Sequence, residues 1–129
     1  MTKYIIISNN PMVKRKIKKG IIDKEKYNFV ECENLNEVMT KSRDKIHKGY
    51  ILISHPLAGS VKPAQNPYRS IILKENDKLD YDSLKIIEKA IEKLKQFQKN
   101  KVDKKYPTEI LEDYQVIDYS LINSGIKSL

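Results

Sequence analysis

The sequence is poor in the residues that mark several classes of protein. Its 129 residues include one cysteine, two histidines, four glycines and no tryptophan. A single cysteine excludes an intramolecular disulfide framework and favours a cytoplasmic location. No apolar run approaches the roughly 20 residues that span a bilayer, and no apolar signal segment opens the chain, so we predict no membrane insertion. With 40% apolar and 33% charged residues, the composition is that of a soluble globular protein.

Arginine is scarce among the basic residues. The formal net charge is +8, yet only Arg15, Arg43 and Arg69 of the 25 basic residues are arginines. Arginine makes the bidentate contacts on which recognition of phosphates and bases relies, whereas a lysine-rich surface mainly confers solubility. The densest basic segment, residues 14–26, contains no aromatic residue. We therefore favour a solvated basic surface over a nucleic-acid-binding one.

Familiar catalytic and metal-binding motifs are also missing. His47, His55 and Cys32 offer too few ligands, at spacings that match no familiar metal site. Ser60 lies outside a Gly-x-Ser-x-Gly elbow, and the sequence shows no acidic partner near His55. Gly59 lacks the companion glycines of a phosphate- or dinucleotide-binding loop. We expect neither a metal nor a cofactor.

What the sequence does contain is an alternation of strand and helix patterns. The predicted strands are Tyr4–Ile7, Tyr27–Cys32, Tyr50–Ile53 and Arg69–Leu73. The predicted helices begin at Pro11, at Leu35 after the cap Asn34, after Asp80 or Asp82 as the cap, and at Pro107–Glu109. This order predicts an α/β fold, a three-layer sandwich with a mainly parallel four-stranded sheet in the order of about 2-1-3-4 and helices on both faces. We predict an α/β domain over residues 1–100 and a C-terminal helical extension over residues 101–129.

The C-terminal extension carries an apolar stripe at helical spacing. Its members are Ile110, Leu111, Tyr114, Ile117, Leu121 and Ile122. A stripe of this length gains too much from burial to stay in water, so we expect it to dock on its own sheet. The alternative is a neighbouring subunit, which leaves both a monomer and a homodimer open.

One long connection, residues 54–70, differs from the rest of the chain. It holds three of the five prolines, Pro56, Pro63 and Pro67, which fix the local backbone and stiffen the segment. A connection of this length without helical or strand periodicity is usually either functional or disordered. Because the prolines argue against disorder, we interpret it as an ordered binding loop.

The predicted sheet order brings this loop next to the end of the first strand. In open α/β sheets, ligands bind beyond the carboxyl ends of the strands, where the winding direction reverses. Here that point falls between the first and third strands. The candidate ligand-binding residues in the two segments are Asn9, Asn10, His55, Ser60, Lys62, Gln65, Asn66 and Arg69. Nearly all are hydrogen-bond donors and none is a carboxylate.

Together with the N–H groups at the start of the first helix, these donors favour a small anion, a carboxylate or a phosphate, as the ligand. Two simpler interpretations stay open. Asn10 can serve only as the cap of its helix, and His55 can serve only to hold the shape of the loop through a backbone hydrogen bond.

A resemblance to a known family rests on four stretches: Tyr4–Pro11, His47–Gly49, His55–Pro63 and Asn66–Ser70. Together they resemble the GrdX family, small proteins encoded beside the glycine reductase genes of amino-acid-fermenting anaerobic bacteria. The similarity runs from about Lys3 to about Lys99 and does not include the tail. The family has no established activity, so the resemblance implies no catalytic residues. It implies a cytoplasmic protein of Stickland-type metabolism, with an accessory role near the selenium-dependent reductases of glycine, sarcosine or betaine.

Three classes of function follow from these observations. The first is a non-catalytic accessory protein whose strand-end cleft binds a small anionic metabolite or a glycine reductase component. The second is a small enzyme with His55 as acid or base and with Lys62 and Arg69 holding an anionic substrate. The third is a structural partner protein that docks through the loop. We take the first as the main prediction and the second as its alternative.

Overall fold

The computed structural model describes residues 3–57, 65–99 and 105–129. Eight elements follow one another there: β1 (Tyr4–Ser8), α1 (Pro11–Lys18), β2 (Tyr27–Glu31), α2 (Leu35–His47), β3 (Tyr50–Leu52), β4 (Ser70–Glu75), α3 (Tyr81–Lys99) and α4 (Thr108–Lys127). Each predicted strand and each predicted helix is present, with bounds that differ by at most a few residues. Local periodicity and capping residues therefore identify the elements of this chain correctly.

Short polar residues set the ends of the helices on either side of the sheet. The side-chain oxygens of Asn10 and Asn34 accept hydrogen bonds from the N–H groups of Met12 at 2.9 Å and Glu37 at 2.8 Å, which caps α1 and α2 as predicted. Gly49 follows α2 with a φ of +102°, a conformation that residues with a side chain rarely adopt. The predicted stop at this glycine is thus confirmed.

The sheet is mixed, with the order β2-β1-β4-β3. β1 pairs in parallel with β2, whereas β4 pairs antiparallel with both β1 and β3. The prediction of a mainly parallel sheet in the order of about 2-1-3-4 is therefore wrong. In the described parts of the connection between β3 and β4, residues 53–57 and 65–69, there is no helix of the kind that crosses over to a parallel neighbour. The chain instead returns beside β3 and inserts β4 between β1 and β3, with Ser70 opposite Ser8 and Leu73 opposite Leu52.

Helices cover both faces of this sheet, as the three-layer prediction requires. Side chains alternate between the two faces along each strand, so Ile5 and Ile7 point to one side of β1 and Ile6 to the other. The first side packs against α2 and α3, and the second against α1 and α4. Ile71, Ile72 and Leu73 are completely buried, which makes β4 a central strand with two apolar faces.

The helix α4 contacts the body of the protein through a different face from the one predicted. Its buried residues are Gln115, Asp118 and Ile122. Of the six residues in the predicted stripe, Ile122 is buried, Leu111 and Tyr114 are half-buried, and Ile110, Ile117 and Leu121 are 41%, 50% and 38% exposed. The expectation that the whole stripe docks within the chain is therefore wrong. The reason is that the sheet edge beneath α4 presents hydrogen-bond donors, which turn the polar face of the helix inward.

Contacts within the chain place α4 beside α1 and over β4. The division into residues 1–100 and 101–129 stays a prediction. Among the residues that the structure describes, no helix is both long and apolar enough to cross a lipid bilayer.

Candidate functional site

The carboxyl ends of β1 and β3 and the beginning of β4 lie at one edge of the sheet, beneath α4. We name the polar residues there the strand-end site: Ser8, Asn9, Asn10, His55, Arg69, Ser70 and Asp118. The strands β1, β2 and β3 end at this edge, whereas antiparallel β4 starts there. The first residue of β4 therefore fills the crevice between β1 and β3, where the sequence predicts a ligand.

Asp118 lies at the centre of the strand-end site and is only 3% exposed. Its Oδ1 accepts the backbone N–H of Ser70 at 2.9 Å, and its Oδ2 accepts the Ser70 hydroxyl at 2.7 Å and Nδ2 of Asn10 at 2.9 Å. Ser8 Oγ lies 2.7 Å from Ser70 Oγ and accepts the backbone N–H of Asn10 at 2.9 Å. Because the Ser70 hydroxyl donates to Asp118, the Ser8 hydroxyl donates to Ser70. A continuous chain of hydrogen bonds thus ends on the carboxylate.

Arg69 is the charged neighbour of this carboxylate and is itself 4% exposed. Burial raises the pKa of Asp118, while hydrogen bonds from Ser70 and Asn10 and the charge of Arg69 oppose that rise. Burial lowers the pKa of Arg69, and the charge of Asp118 opposes that change in turn. Each charge offsets part of the cost of burying the other. Arg69, which the sequence predicts to bind an external anion, therefore interacts with a carboxylate of the same chain.

Asn9 joins the end of β1 to the beginning of β4. Its Nδ2 donates to the carbonyl of Pro67 at 2.7 Å, and its Oδ1 accepts the N–H of Arg69 at 2.8 Å. Both ends of the side-chain amide are therefore engaged with the backbone of the binding loop. The contact fixes where that loop returns to the sheet.

Asn10 joins α1 to α4. Besides capping Met12, it donates through Nδ2 to the carbonyl of Gln115 and to the carboxylate of Asp118, both at 2.9 Å. The residue is 1% exposed. Asn10 and the residues of α4 thus cover the start of α1, which the sequence predicts as part of an anion receptor.

His55 lies where the chain leaves β3, and its side chain is exposed. Its Nδ1 accepts the N–H of Leu57 at 3.1 Å, a contact of the kind expected if the residue holds the loop in shape. His55 also borders a cavity of about 30 Å³, together with Ser54, Arg69, Ser70, Asp118, Leu121 and Ile122. This volume has room for a water molecule or two and is too small for a carboxylate or phosphate ligand.

The remaining predicted residues belong to the binding loop. Asn66 donates through Nδ2 to the carbonyl of Tyr114 at 3.2 Å and accepts the N–H of Tyr68 at 2.9 Å, so it ties the end of the loop to α4. Gln65 is exposed. Ser60 and Lys62 lie outside the described residues.

The structure therefore brings four of the predicted residues to one sheet edge. Asn9 accepts the backbone N–H of Arg69. His55 and Arg69 border one cavity, and Asn10 bonds Asp118, which borders the same cavity. Asn66 lies farther along the loop and contacts α4.

Asp118 and Gln115 are not among the residues predicted from the sequence, all of which come from the loops. A signal was present in the sequence. Gln115, Asp118 and Ile122 follow one another at intervals of three and four residues, so two polar side chains share a helix face with an isoleucine. Polar residues that share a helix face with an apolar residue can form a buried polar contact as readily as they can face solvent.

A larger cleft of about 380 Å³ opens beside Asn9, between the carboxyl end of β2 and the first turn of α2. Its polar lining consists of Asn9, Glu33, Asn34, Asn36, Tyr68 and Gln98. We name it the amide cleft, because four of these six side chains are amides. Gln98 Nε2 donates to Asn36 Oδ1 at 3.1 Å along its wall. The volume is that of a site for a small molecule.

Cys32 follows β2 at the same edge of the sheet, where its backbone N–H donates to the carbonyl of Ser8 at 2.8 Å. Burial raises the pKa of its thiol to about 11, so the thiol is protonated at neutral pH and a poor nucleophile. Among residues 3–57, 65–99 and 105–129, no group of three or more His, Cys, Asp or Glu side chains is arranged to hold a metal ion.

The family model of the GrdX-like proteins matches residues 5–127. The chain belongs to the GrdX-like family. The resemblance drawn from the sequence is thereby confirmed, and the match extends beyond Lys99 to include all of α4. In this GrdX-like protein the last helix is thus part of the family sequence, and it supplies Asp118 to the strand-end site. No curated protein and no solved structure matches the chain significantly.

Proposed function

We propose that this GrdX-like protein is a non-catalytic accessory protein of glycine, sarcosine or betaine reductase metabolism in the cytoplasm. Membership of the GrdX-like family supports the metabolic setting. The hydrogen bonds of the strand-end site argue against catalysis there, because Asn10 bonds Asp118 and all three of Asn9, Asn10 and Asp118 bond the nearby backbone. A catalytic acid, base or nucleophile has to present its proton or lone pair to a substrate.

The ligand in this proposal is either a small anionic metabolite or a protein component of the reductases. The amide cleft suits the small metabolite better than the crevice between β1 and β3, whose cavity measures about 30 Å³ against about 380 Å³ for the cleft. Asn36, Tyr68 and Gln98 carry N–H and O–H groups, which donate hydrogen bonds to carboxylate and phosphate oxygens. Glu33 also lines the cleft, so these donors have to outweigh the repulsion between its carboxylate and an anionic ligand.

Calorimetric titration of the purified protein tests this proposal directly. The small-molecule probes are glycine, betaine, phosphate and acetyl phosphate, and purified reductase components are titrated separately. We expect saturable binding of at least one probe, and Gln98→Ala should weaken binding of a small molecule by about tenfold, the value of one hydrogen bond to a charged group. Gln96→Ala is the matched control, because Gln96 is an exposed residue of the same helix that does not line the cleft. Absence of binding by every small-molecule probe and every reductase component rejects the proposal.

A small enzyme that uses His55 as acid or base is the second candidate. One observation favours it: His55 and Asp118 border the same cavity, so the structure places a carboxylate near this histidine where the sequence shows none. Turnover of one of the probes by the wild type, lost in His55→Ala and retained in His47→Ala, would favour the enzyme over the accessory protein.

A further inference from the structure

The helix α4 leaves a row of apolar side chains in solvent. Ile110, Ile117 and Leu121 are 41%, 50% and 38% exposed, and Tyr114 between them is half-buried. We name these four residues the α4 stripe. They follow one another at intervals of four, three and four residues, the spacing of a seam between paired helices. Single exposed apolar residues need no explanation, whereas a contiguous row along one helix marks an interaction surface.

The charge of α4 is opposite to that of the whole chain. The helix carries Glu109, Glu112, Asp113 and Asp118 against a single basic residue, Lys127, in a protein with a formal net charge of +8. Two copies of a strongly basic chain repel each other wherever their lysine-rich faces meet. A pair of α4 helices keeps those lysines apart, and its own acids, which lie between Glu109 and Asp118, repel each other least when the two helices run antiparallel.

The distribution of charge along α4 selects an antiparallel arrangement. The first turn contains Glu109 and the last turn contains Lys127. When two α4 helices run antiparallel about a two-fold axis, the first turn of each faces the last turn of the other, so Glu109 lies near Lys127 of the second copy at both ends. The helix dipoles are then opposed as well, whereas a parallel pair would bring like charges together.

The sizes of the side chains fit the same arrangement. The seam that begins with Ile110 continues at the same spacing beyond Leu121 to Ser124 and Ser128, which are exposed. The large side chains at the start of one seam therefore face the small ones at the end of the other, with Ile110 opposite Ser124 when the axis passes near Ile117. A 20-residue helix is about 30 Å long, which allows contact over several turns.

We propose that the α4 stripe is a self-association surface, through which two copies of this chain pair their last helices antiparallel about a two-fold axis near Ile117. The side chains that one copy leaves in water are buried by the second. This proposal does not depend on the proposed function, because the amide cleft and the α4 stripe share no residue.

Sedimentation velocity on the full chain, from about 1 μM to about 1 mM, tests the proposal over the usual range of weak to moderate dissociation constants. We expect the wild type to shift from monomer to dimer within this range, and Ile117→Glu to raise the dissociation constant by at least about tenfold, as at an interface hot spot. Ile21→Glu is the matched control, because Ile21 is a 58% exposed isoleucine away from α4, and it should dimerise like the wild type. A monomeric wild type at every concentration overturns the proposal. So does an Ile117→Glu protein that dimerises as tightly as the wild type, or loss of the dimer in Ile21→Glu.

Charge reversal tests the antiparallel arrangement. Glu109→Lys and Lys127→Glu should each weaken the dimer because each places like charges together at both ends of the helix pair. The double variant restores each charge pair with its signs exchanged, and should therefore recover the affinity of the wild type to within about threefold, because interacting residues are not additive. Weakening by both single changes without recovery in the double variant overturns the antiparallel pairing.

Discussion

Asp118 accepts hydrogen bonds from both donor groups of Ser70: the backbone N–H donates to Oδ1 at 2.9 Å and the hydroxyl donates to Oδ2 at 2.7 Å. Ser70 is the first residue of β4, and Asp118 lies 48 residues later in α4. The carboxylate therefore connects the last helix to the strand that fills the crevice between β1 and β3. The position of α4 and the start of β4 depend on each other.

Replacing Asp118 by alanine should destabilise the protein by about 3 kcal/mol or more, because two buried groups of Ser70 and the amide of Asn10 lose their acceptor. Urea unfolding followed by far-UV circular dichroism measures the loss. Glu112→Ala is the control, since Glu112 is an exposed acid of the same helix, and it should change the free energy of unfolding by no more than about 0.5 kcal/mol. Equal effects of the two substitutions would contradict the role given to Asp118.

The stability difference between the wild type and Asp118→Asn should depend on pH. Burial raises the pKa of Asp118 above its ordinary value of 3.8, so the folded state keeps this proton to a higher pH than the unfolded chain. The contribution of a group of this kind is fully present below the unfolded pKa and is lost as the pH rises through the folded pKa. Relative to Asp118→Asn, which stays neutral, the wild type should thus lose stability as the pH rises from about 3 towards neutrality. Paired urea titrations at each pH give the difference. Both proteins retain Arg69 and His55, so the difference in unfolding free energy between them reports on residue 118. A difference that does not change with pH, or that favours the wild type as the pH rises, argues against the raised pKa.

Arg69→Ala should destabilise the fold strongly. From the sequence alone, Arg69 is a surface charge in a binding loop, whose removal would abolish anion binding with little change in melting temperature. The structure buries it beside Asp118, and removing one member of a buried charge pair costs about 3–5 kcal/mol. Arg43→Ala is the control, because Arg43 forms an ion pair with Glu88 at 3.8 Å on the surface, where such pairs contribute about 1 kcal/mol or less. Similar melting temperatures for the two variants would contradict this structural role and would favour the anion-binding role predicted from the sequence.

The elements of this fold could be predicted because their signals are local. Asn10 and Asn34 cap helices, Gly49 ends one, and the apolar runs mark the strands. The position and direction of β4 could not be predicted in the same way, since pairing depends on contacts far apart in the chain. One local signal did point to the centre of the sheet: the run Ile71–Leu73 is apolar on both faces, which suits a central strand better than an edge.

The sequence predicts where the candidate site lies, but not all the residues that form it. Asn9, Asn10, His55 and Arg69 follow or precede strands, so the sheet brings them to one edge. Their partners within the chain come from α4, and nothing local in the sequence of the loops reveals them. A buried carboxylate changes the chemistry of the site, because it takes up the donors that would otherwise be available to an anion.

Truncation to alanine should cost much more stability at Ile122 than at Ile117, although the sequence places both in one apolar stripe. Ile122 is 3% exposed in the core with Ile72 and Val13, so Ile122→Ala should cost about 2–4 kcal/mol of unfolding free energy. Ile117 is 50% exposed, so Ile117→Ala should cost less than about 1 kcal/mol in the monomer.

The measurement is urea unfolding at about 1 μM, at the dilute end of the range in which dimerisation is sought. Far-UV circular dichroism is the suitable signal because the chain has no tryptophan. At high protein concentration the wild type should gain stability through self-association and Ile117→Ala should not, because only the dimer buries Ile117. If Ile117→Ala is as costly as Ile122→Ala in the dilute protein, the α4 stripe is buried within the monomer and the docking face assigned to α4 is wrong.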